Sequence, residues 1–108
     1  MNIQHFHGVP PLYTNTFLII TNAKHGIIID AAAEPETYLK ALDEAGATLT
    51  HILLTHGHFD HVLGVPDLLA VYPDLPVYIT ETDYPEARDG GQFGYKMGPV
   101  ATKRITRI

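Results

Sequence analysis

Four possible metal ligands lie close together in the chain, in a segment at residues 56–61 that reads His-Gly-His-Phe-Asp-His. Imidazole nitrogens and carboxylate oxygens are donors that Zn²⁺ and related first-row metals accept. In an extended segment, residues i, i+2 and i+4 share one face, whereas residues two apart on a helix point in nearly opposite directions. The spacing therefore predicts that His56, His58 and Asp60 converge from an extended or looped backbone. His61 adds a fourth donor.

Each of these side chains also has an ordinary structural explanation when it is taken alone. Asp60 is a suitable N-cap for a following helix, because aspartate oxygens accept hydrogen bonds from the first free N–H groups. His61 is then a surface residue of the first turn, and His56 is a polar residue at the end of a strand. A cluster of four donors after the apolar run of residues 52–54 is harder to explain in this way, so we interpret it as a metal site.

The residues around the cluster resemble a known family. Residues 52–64 are similar to the T-H-x-H-x-D-H signature of the metallo-β-lactamase-fold hydrolases, especially their glyoxalase II-like branch. Residues 15–19 resemble the second strand of such enzymes, and residues 28–30 resemble a strand that ends in an acidic residue beside the metals. The resemblance implies that His56 and His58 bind a first metal and that Asp60 and His61 bind a second. It reaches as far as Thr80.

The resemblance also implies a fold and an extent. No histidine follows His61, whereas the later half of the family's domains supplies two more histidines and a bridging aspartate. Residues 1–108 are therefore expected to be the amino-terminal half of such a domain, in the α/β class. This half of an αββα sandwich has a mixed sheet with helices on one face. We expect a second copy of the chain, or the missing carboxyl-terminal half, to cover the other face, and we hypothesise a homodimer.

The implied function is that of a zinc-dependent hydrolase acting on small molecules, with thioesters as the substrate class. One or two Zn²⁺ ions would supply hydroxide from bound water, and iron is a possible replacement because the same ligands accept it. Asp60 is the candidate catalytic residue, since it is placed to orient the nucleophile. Asp30 is a candidate to hold a ligand imidazole from behind. An ordinary role for Asp30 in a turn or at a helix entrance is equally consistent with the sequence.

Two alternatives remain open at this point. One is an oxidoreductase with mononuclear iron, similar to the persulfide dioxygenases of the same fold. The other is a truncated metal-binding fragment that is catalytically inactive and dimerises, because the ligand set is incomplete in one copy. Metal analysis distinguishes the first alternative from a zinc hydrolase, and an activity assay distinguishes the second.

The elements that must position the cluster follow from apolar patterns. Strands are predicted over residues 3–7, 13–21, 27–30, 50–55 and 77–80, and the apolar run before His56 predicts a central strand covered on both faces. A helix is predicted from Pro35, which suits a first turn, to Gly46, which is a typical helix stop. A second helix is predicted over residues 65–72, and Pro85 could open a short third one.

Composition places the chain among globular proteins, with 45% hydrophobic and 18% charged residues and no cysteine. The absence of cysteine excludes disulfides and thiolate ligands. We expect a cytoplasmic protein that does not bind membranes, because no signal-like or membrane-spanning segment occurs. All twelve acidic residues lie within residues 1–89, and residues 90–108, predicted as an irregular tail, carry four basic residues. Such a tail is more often solvated than bound to phosphate, which argues against nucleic acid as a partner.

Overall fold

The computed structural model describes residues 1–8, 10, 12–55, 59–62, 64–89 and 105–108, with the backbone alone at 59, 60, 88 and 89. Strands and helices alternate along most of this length. The strands are β1 (Asn2–His7), β2 (Asn15–Ile20), β3 (His25–Ile29), β4 (Thr48–Leu54), β5 (Val77–Ile79) and β6 (Ile105–Arg107). The helices are α1 (Pro35–Ala45), α2 (Phe59–Val62), α3 (Val65–Val71) and α4 (Tyr84–Asp89).

The six strands form one mixed sheet in the order β1-β2-β3-β4-β5-β6. The first three strands are antiparallel neighbours, because short loops connect them. From β3 onward the strands are parallel, since a helix crosses over between β3 and β4 and further helical segments precede β5 and β6. In the β3–β4 pair, Ile28 lies opposite Ile52 and Ile29 opposite Leu53. The carboxyl ends of β3 and β4 therefore meet at the same edge of the sheet.

The crossover helix α1 begins and ends where the sequence predicts. Pro35 occupies its first turn, and Gly46 ends it in the left-handed conformation at φ 66° and ψ 32°. The N–H of Gly46 bonds to the carbonyl of Asp43, and the N–H of Ala47 bonds to the carbonyl of Leu42. Glycine suits this position because a side chain is strained at positive φ. The helix is thus a rigid connection between the two strands that border the predicted metal site.

The hydrophobic core lies between one face of the sheet and the helices. The buried strand residues of this face alternate with residues of the opposite face, as expected for a pleated sheet. They include Leu18, Ile28, Ile52, Leu54, Val77 and Ile79. From the helices, Tyr38 and Leu42 of α1 and Leu68 of α3 pack against them. The predicted α/β class with helices on one face of a mixed sheet is confirmed.

The opposite face of the sheet, which we call the open face, is apolar yet only partly covered by the described residues. Pairing places Ile19 beside Ile27, Phe17 beside Ile29, and Leu53 beside both Ile29 and Tyr78. These side chains are half-buried. β4 is central, as predicted, but its cover on the open face is incomplete within the described ranges, because the helices pack on the other side.

Two short elements differ from the sequence-based expectation. Residues 59–62 form the one-turn helix α2, so the backbone at Asp60 is helical rather than extended. Residues 105–107, predicted as part of an irregular tail, form β6 beside β5, with Ile105 buried and Arg107 exposed. The Arg107 guanidinium lies 4.8 Å from the centre of the Tyr84 ring. None of the described helices is long and apolar enough to cross a membrane.

Candidate metal centre

Side chains from three segments meet at the edge where β3 and β4 end. Asp30 directly follows β3, Thr55 directly follows β4, and His61 lies on α2. Crevices at the carboxyl ends of parallel strands are common ligand sites in α/β proteins, because the chain leaves the sheet there through loops. β3 and β4 are parallel neighbours, and this pairing brings Asp30 next to Thr55, the residue before the 56–61 cluster.

Asp30 is a buried carboxylate with close polar contacts. Its side chain accepts a hydrogen bond from the Thr55 backbone N–H at 2.7 Å and one from the Thr55 hydroxyl at 2.6 Å. Its backbone N–H bonds to the Leu53 carbonyl at 2.9 Å, which extends the β3–β4 ladder by one residue. Only 5% of the residue is exposed. A carboxylate buried to this degree requires such donors, because desolvation without them is costly.

The backbone of Asp30 is in the left-handed region, at φ 56°. Aspartate tolerates this conformation better than most residues, although it still carries strain that the surroundings must hold. The conformation turns the chain sharply out of β3, and the N–H of Ala32, two residues later, donates to the Asp30 carbonyl at 2.7 Å. Strain of this kind, in a buried charged residue at the end of a central strand, is typical of a functional position.

His61 lies against the Asp30 carboxylate. The Nδ1 atom of its ring is 3.0 Å from Oδ2 of Asp30, an ion-pair distance when the imidazole is protonated. The ring is not turned to make a straight hydrogen bond along this line. The contact uses Nδ1, so Nε2 is the nitrogen that would face a metal. A carboxylate behind an imidazole fixes the ring orientation and increases its basicity as a ligand.

The other predicted ligands are placed only in part. His56 and His58 lie outside the described residues, and Asp60 is described by its backbone in α2. Within the described ranges, no group of three histidine, aspartate or glutamate side chains could hold a metal ion. The sequence predicts an extended or looped backbone through His56, His58 and Asp60, whereas the backbone at Asp60 is helical. The assignment of the four residues as ligands stays a prediction.

The loop of residues 31–33 packs tightly behind the site. The N–H of Gly64 bonds to the Ala31 carbonyl at 2.7 Å. A side chain at Gly64 would place its Cβ atom 2.7 Å from the Ala33 carbonyl oxygen and 2.9 Å from that of Ala31. Both distances are too short, so a glycine is needed at this approach of backbone to backbone. The segment that follows α2 is therefore fixed to the segment that follows Asp30.

Three residues of this region make contacts that the sequence does not indicate. Thr55 is the threonine of the T-H-x-H-x-D-H signature, but the signature does not indicate its two hydrogen bonds to Asp30. Tyr38 and Thr16 are 22 residues apart, yet their hydroxyl oxygens are 2.7 Å from each other in the core. Burial raises the pKa of the Tyr38 phenol, and its hydrogen bonds to Thr16 and to the backbone of Ala33 oppose that shift. The phenol is thus neutral and keeps its proton at physiological pH.

Two further histidines lie on β1, which β2 separates from β3 in the sheet. The Nε2 atom of His5 is 2.8 Å from the Asn15 side-chain oxygen, and its ring stacks on Phe17 with 4.9 Å between ring centres. The His7 ring centre is 4.8 Å from that of His5. Both histidines are exposed on an edge strand. These contacts are those of a solvated strand and agree with their exclusion from the predicted ligand set.

The chain matches a known family over most of its length. A family model described as the metallo-beta-lactamase superfamily matches residues 9–107. The chain is 35% identical, over 94 residues, to a hydroxyacylglutathione hydrolase from Synechococcus sp. (strain WH7803), an alignment that covers 86% of this chain and 34% of the relative. It is 39% identical over 95 residues to an atrochrysone carboxyl ACP thioesterase from Pseudocercospora fijiensis, covering 81% of this chain and 28% of that one.

A solved structure has a similar fold. The crystal structure of TTHA1623 in a di-iron-bound form superposes with a TM-score of 0.66 and 36% sequence identity, over 82% of this chain and 43% of that one. The chain spans about a third of the length of the two curated relatives named above. The family match over residues 9–107 contains the Asp30 turn, the 56–61 cluster and the helices behind them.

Proposed function

The chain belongs to the metallo-beta-lactamase superfamily, and on this basis we propose that it carries the principal metal ligands of a hydrolase that cleaves thioesters. One observation supports the proposal most directly: the buried Asp30 carboxylate lies 3.0 Å from the His61 imidazole, at the strand edge where the 56–61 cluster begins. A purely structural histidine at the surface of a one-turn helix has no need of a buried carboxylate behind it.

The proposed ligands form two pairs. His56 and His58 would hold a first ion, and Asp60 and His61 would hold a second. The donor set is one of imidazole and carboxylate, which fits Zn²⁺ and iron better than Ca²⁺ or Mg²⁺. Metal-binding histidines commonly have a carboxylate beside the ring nitrogen that does not bind the metal, and Oδ2 of Asp30 lies 3.0 Å from Nδ1 of His61. The residues present therefore fit a metal of this class.

The chemistry divides between the metal and the protein. A bound zinc ion lowers the pKa of water towards neutrality and polarises a carbonyl oxygen. Asp30 would hold His61 in one orientation, and Thr55 would hold Asp30 in place through its two hydrogen bonds. Asp60, the candidate catalytic residue, would orient the attacking water toward the substrate. Orientation of this kind removes entropy from the barrier before the reaction begins.

Thioesters are the proposed substrate class because of the relatives. One is named as a hydroxyacylglutathione hydrolase and another as an ACP thioesterase, and a thioester carbonyl is the group common to both names. The substrate is thus a small molecule or an acyl group on a carrier. A cytoplasmic location stays a prediction from the sequence.

Iron is the second candidate metal, and one observation favours it: the similar structure of TTHA1623 is in a di-iron-bound form. An iron-dependent oxidoreductase is the corresponding alternative activity. Elemental analysis of protein purified without added metal, followed by reconstitution with Zn²⁺ or Fe²⁺, would distinguish the two. Thioester cleavage that is restored by zinc alone supports the hydrolase.

A second layer of protein on the open face is a further part of the proposal. Ile19, Ile27, Ile29 and Leu53 are only half-buried there by the described residues, and an apolar face of this kind favours association. The layer would come from a second copy of the chain, with two-fold symmetry, or from a carboxyl-terminal half such as the longer relatives could supply. Sedimentation equilibrium of the chain tests the first case, and a mass of one chain at all concentrations contradicts it.

The function itself is tested with His58→Ala in the full chain. We expect the wild type to bind zinc and to hydrolyse an acylglutathione thioester, and we expect His58→Ala to lose the activity because a ligand is removed. His25→Ala is the matched control, since His25 is exposed at the opposite end of β3. A zinc-saturated wild type without thioesterase activity would favour the inactive metal-binding fragment.

A further inference from the structure

A chain of hydrogen bonds in the core spans the Asp30 turn. The Ala33 N–H donates to the Tyr38 phenol oxygen at 3.0 Å, and the Thr16 hydroxyl donates to the Ile29 carbonyl at 3.1 Å. The two hydroxyl oxygens are 2.7 Å apart. The only proton of the Thr16 hydroxyl is directed at Ile29, so the phenol must donate to Thr16. The order is therefore Ala33 N–H to Tyr38, Tyr38 to Thr16, and Thr16 to the Ile29 carbonyl.

The two ends of this network are the residues on either side of the site turn. Ile29 is the last residue of β3, directly before Asp30, and Ala33 comes three residues after Asp30. The network thus fixes the positions at which the chain enters and leaves the strained turn. Tyr38 and Thr16 are fully buried, so water cannot replace either hydroxyl. A strained backbone persists only when its surroundings hold it, and this network is one part of those surroundings.

The turn has little room to move in other directions. A Cβ atom at Gly8 would lie 2.9 Å from the Ala32 carbonyl oxygen, and one at Gly64 would lie 2.7 Å from that of Ala33. Backbone from two other loops therefore packs against residues 31–33. A displacement of the turn would reach His61 by two routes, through the Asp30 carboxylate and through the Gly64 segment that follows α2.

We propose that Tyr38 and Thr16 are positioning residues for the metal centre. Their hydroxyls hold the Asp30 turn, and this turn orients the Asp30 carboxylate toward His61. The inference rests on the proposed metal-dependent function. The inference means that metal affinity also depends on residues that neither bind the metal nor contact its ligands. Phenylalanine at position 38 and valine at position 16 would fill nearly the same core volume. The contribution of the two hydroxyls is therefore the hydrogen-bond network itself.

The test compares Tyr38→Phe and Thr16→Val with the wild type in the full chain. Hydrogen exchange of the Ala33 amide reports whether the network is formed, and zinc affinity, measured by competition with a chromophoric chelator, reports the geometry of the site. We expect faster exchange at Ala33 in Tyr38→Phe. We expect both variants to bind zinc about tenfold more weakly, at the lower end of the range for residues that orient a metal ligand.

Three control variants separate positioning from general destabilisation. Thr16→Ser keeps the hydroxyl and should bind zinc nearly as the wild type does. Tyr72→Phe removes the same atom at the far end of α3, and Gly46→Ala destabilises α1 at its far end from the network. Neither should change zinc affinity. The double variant Tyr38→Phe/Thr16→Val should lose little more affinity than either single variant, because both act through one network.

The possible failures are distinguishable. A wild type that does not bind zinc contradicts the proposed function, and the inference falls with it. A wild type that binds zinc, with Tyr38→Phe and Thr16→Val binding equally well despite faster exchange at Ala33, leaves the function in place and refutes positioning. Unchanged exchange at Ala33 in Tyr38→Phe would also overturn the inference, because the network would then not hold the turn.

Discussion

Replacing Asp30 by asparagine tests the central contact of the site. Asparagine has nearly the same shape and tolerates positive φ, so the backbone at φ 56° should be retained. The variant removes the negative charge beside His61 and one of the two acceptor oxygens used by Thr55. Any effect on metal binding can therefore be assigned to the carboxylate rather than to a collapsed turn.

The magnitude follows from the contacts. The carboxylate accepts hydrogen bonds of 2.7 Å and 2.6 Å from Thr55 and lies 3.0 Å from His61. Hydrogen bonds to charged groups contribute about 1.5–3 kcal/mol each. The amide can keep one of the two Thr55 bonds, without its charge assistance, so we expect a loss of about 2–3 kcal/mol in the free energy of unfolding. The residue is 5% exposed, and solvent screening reduces this value little.

Metal affinity should fall as well. Removing the group that orients a metal-binding histidine typically weakens binding about 10- to 100-fold, which corresponds to about 1.4–2.7 kcal/mol. Chelator competition measures the zinc affinity, and urea unfolding with and without zinc measures both effects in one sample. Zinc should stabilise the wild type more than it stabilises Asp30→Asn, because the wild type binds it more tightly.

A control and a clear refutation are available. Asp43→Asn removes the same charge from an exposed position on α1, and it should change neither zinc affinity nor stability appreciably. If Asp30→Asn bound zinc within twofold of the wild type while losing stability, the carboxylate would be a structural anchor for Thr55 alone. The proposed role of Asp30 behind His61 would then be wrong.

Three further perturbations test the surroundings of the site. Thr55→Val removes the hydroxyl that donates to Asp30 at 2.6 Å and should cost about 1–2 kcal/mol in urea unfolding, whereas Thr55→Ser should not. Gly64→Ala places a Cβ atom 2.7 Å from a backbone oxygen, so it should lower the free energy of unfolding by about 1–3 kcal/mol and weaken zinc binding. Its control is Gly46→Ala, at φ 66° in open space. The control should lower the free energy of unfolding by about 1 kcal/mol and leave zinc binding unchanged. Burial raises the pKa of Tyr38 above 10.0, so the folded state holds this proton more tightly than the unfolded state does. The free energy of unfolding should therefore keep this contribution below pH 10.0 and decrease at higher pH. Tyr38→Phe should make the free energy of unfolding, measured with urea, less dependent on pH above 10.0. A slope equal in the wild type and the variant would contradict the last prediction.

The long elements were predictable because their signals are strong. Pro35 and Gly46 define α1 to within one residue, and the apolar run of β4 identifies a central strand. The one-turn helix α2 was not predicted, since periodicity cannot identify an element of four residues and the alternating ligands suggested extended backbone. β6 was missed for a similar reason: it has three residues and gains its stability from pairing with β5.

For the site, the sequence indicates donors but not their arrangement. The 56–61 cluster is evident from residue types, whereas the sequence is equally consistent with two roles for Asp30 and does not indicate its contacts with His61 and Thr55. The hydroxyls of Tyr38 and Thr16 could not be paired from the sequence, because the pairing depends on how α1 packs across β2 and β3. Such contacts between distant segments form only in the tertiary structure, so local patterns do not contain them.

The crossover from β3 through α1 to β4 has a consequence for protein engineering. Asp30 and Thr55 are 25 residues apart, and only the parallel pairing of their strands brings them together. In a synthetic peptide that carries the histidine motif alone, the ligand side chains would be flexible. Such a peptide would bind many cations and discriminate poorly among them. The smallest unit that can be transplanted is the whole crossover from β3 to β4. Selectivity among metal ions requires a scaffold in which the Asp30 carboxylate is already positioned.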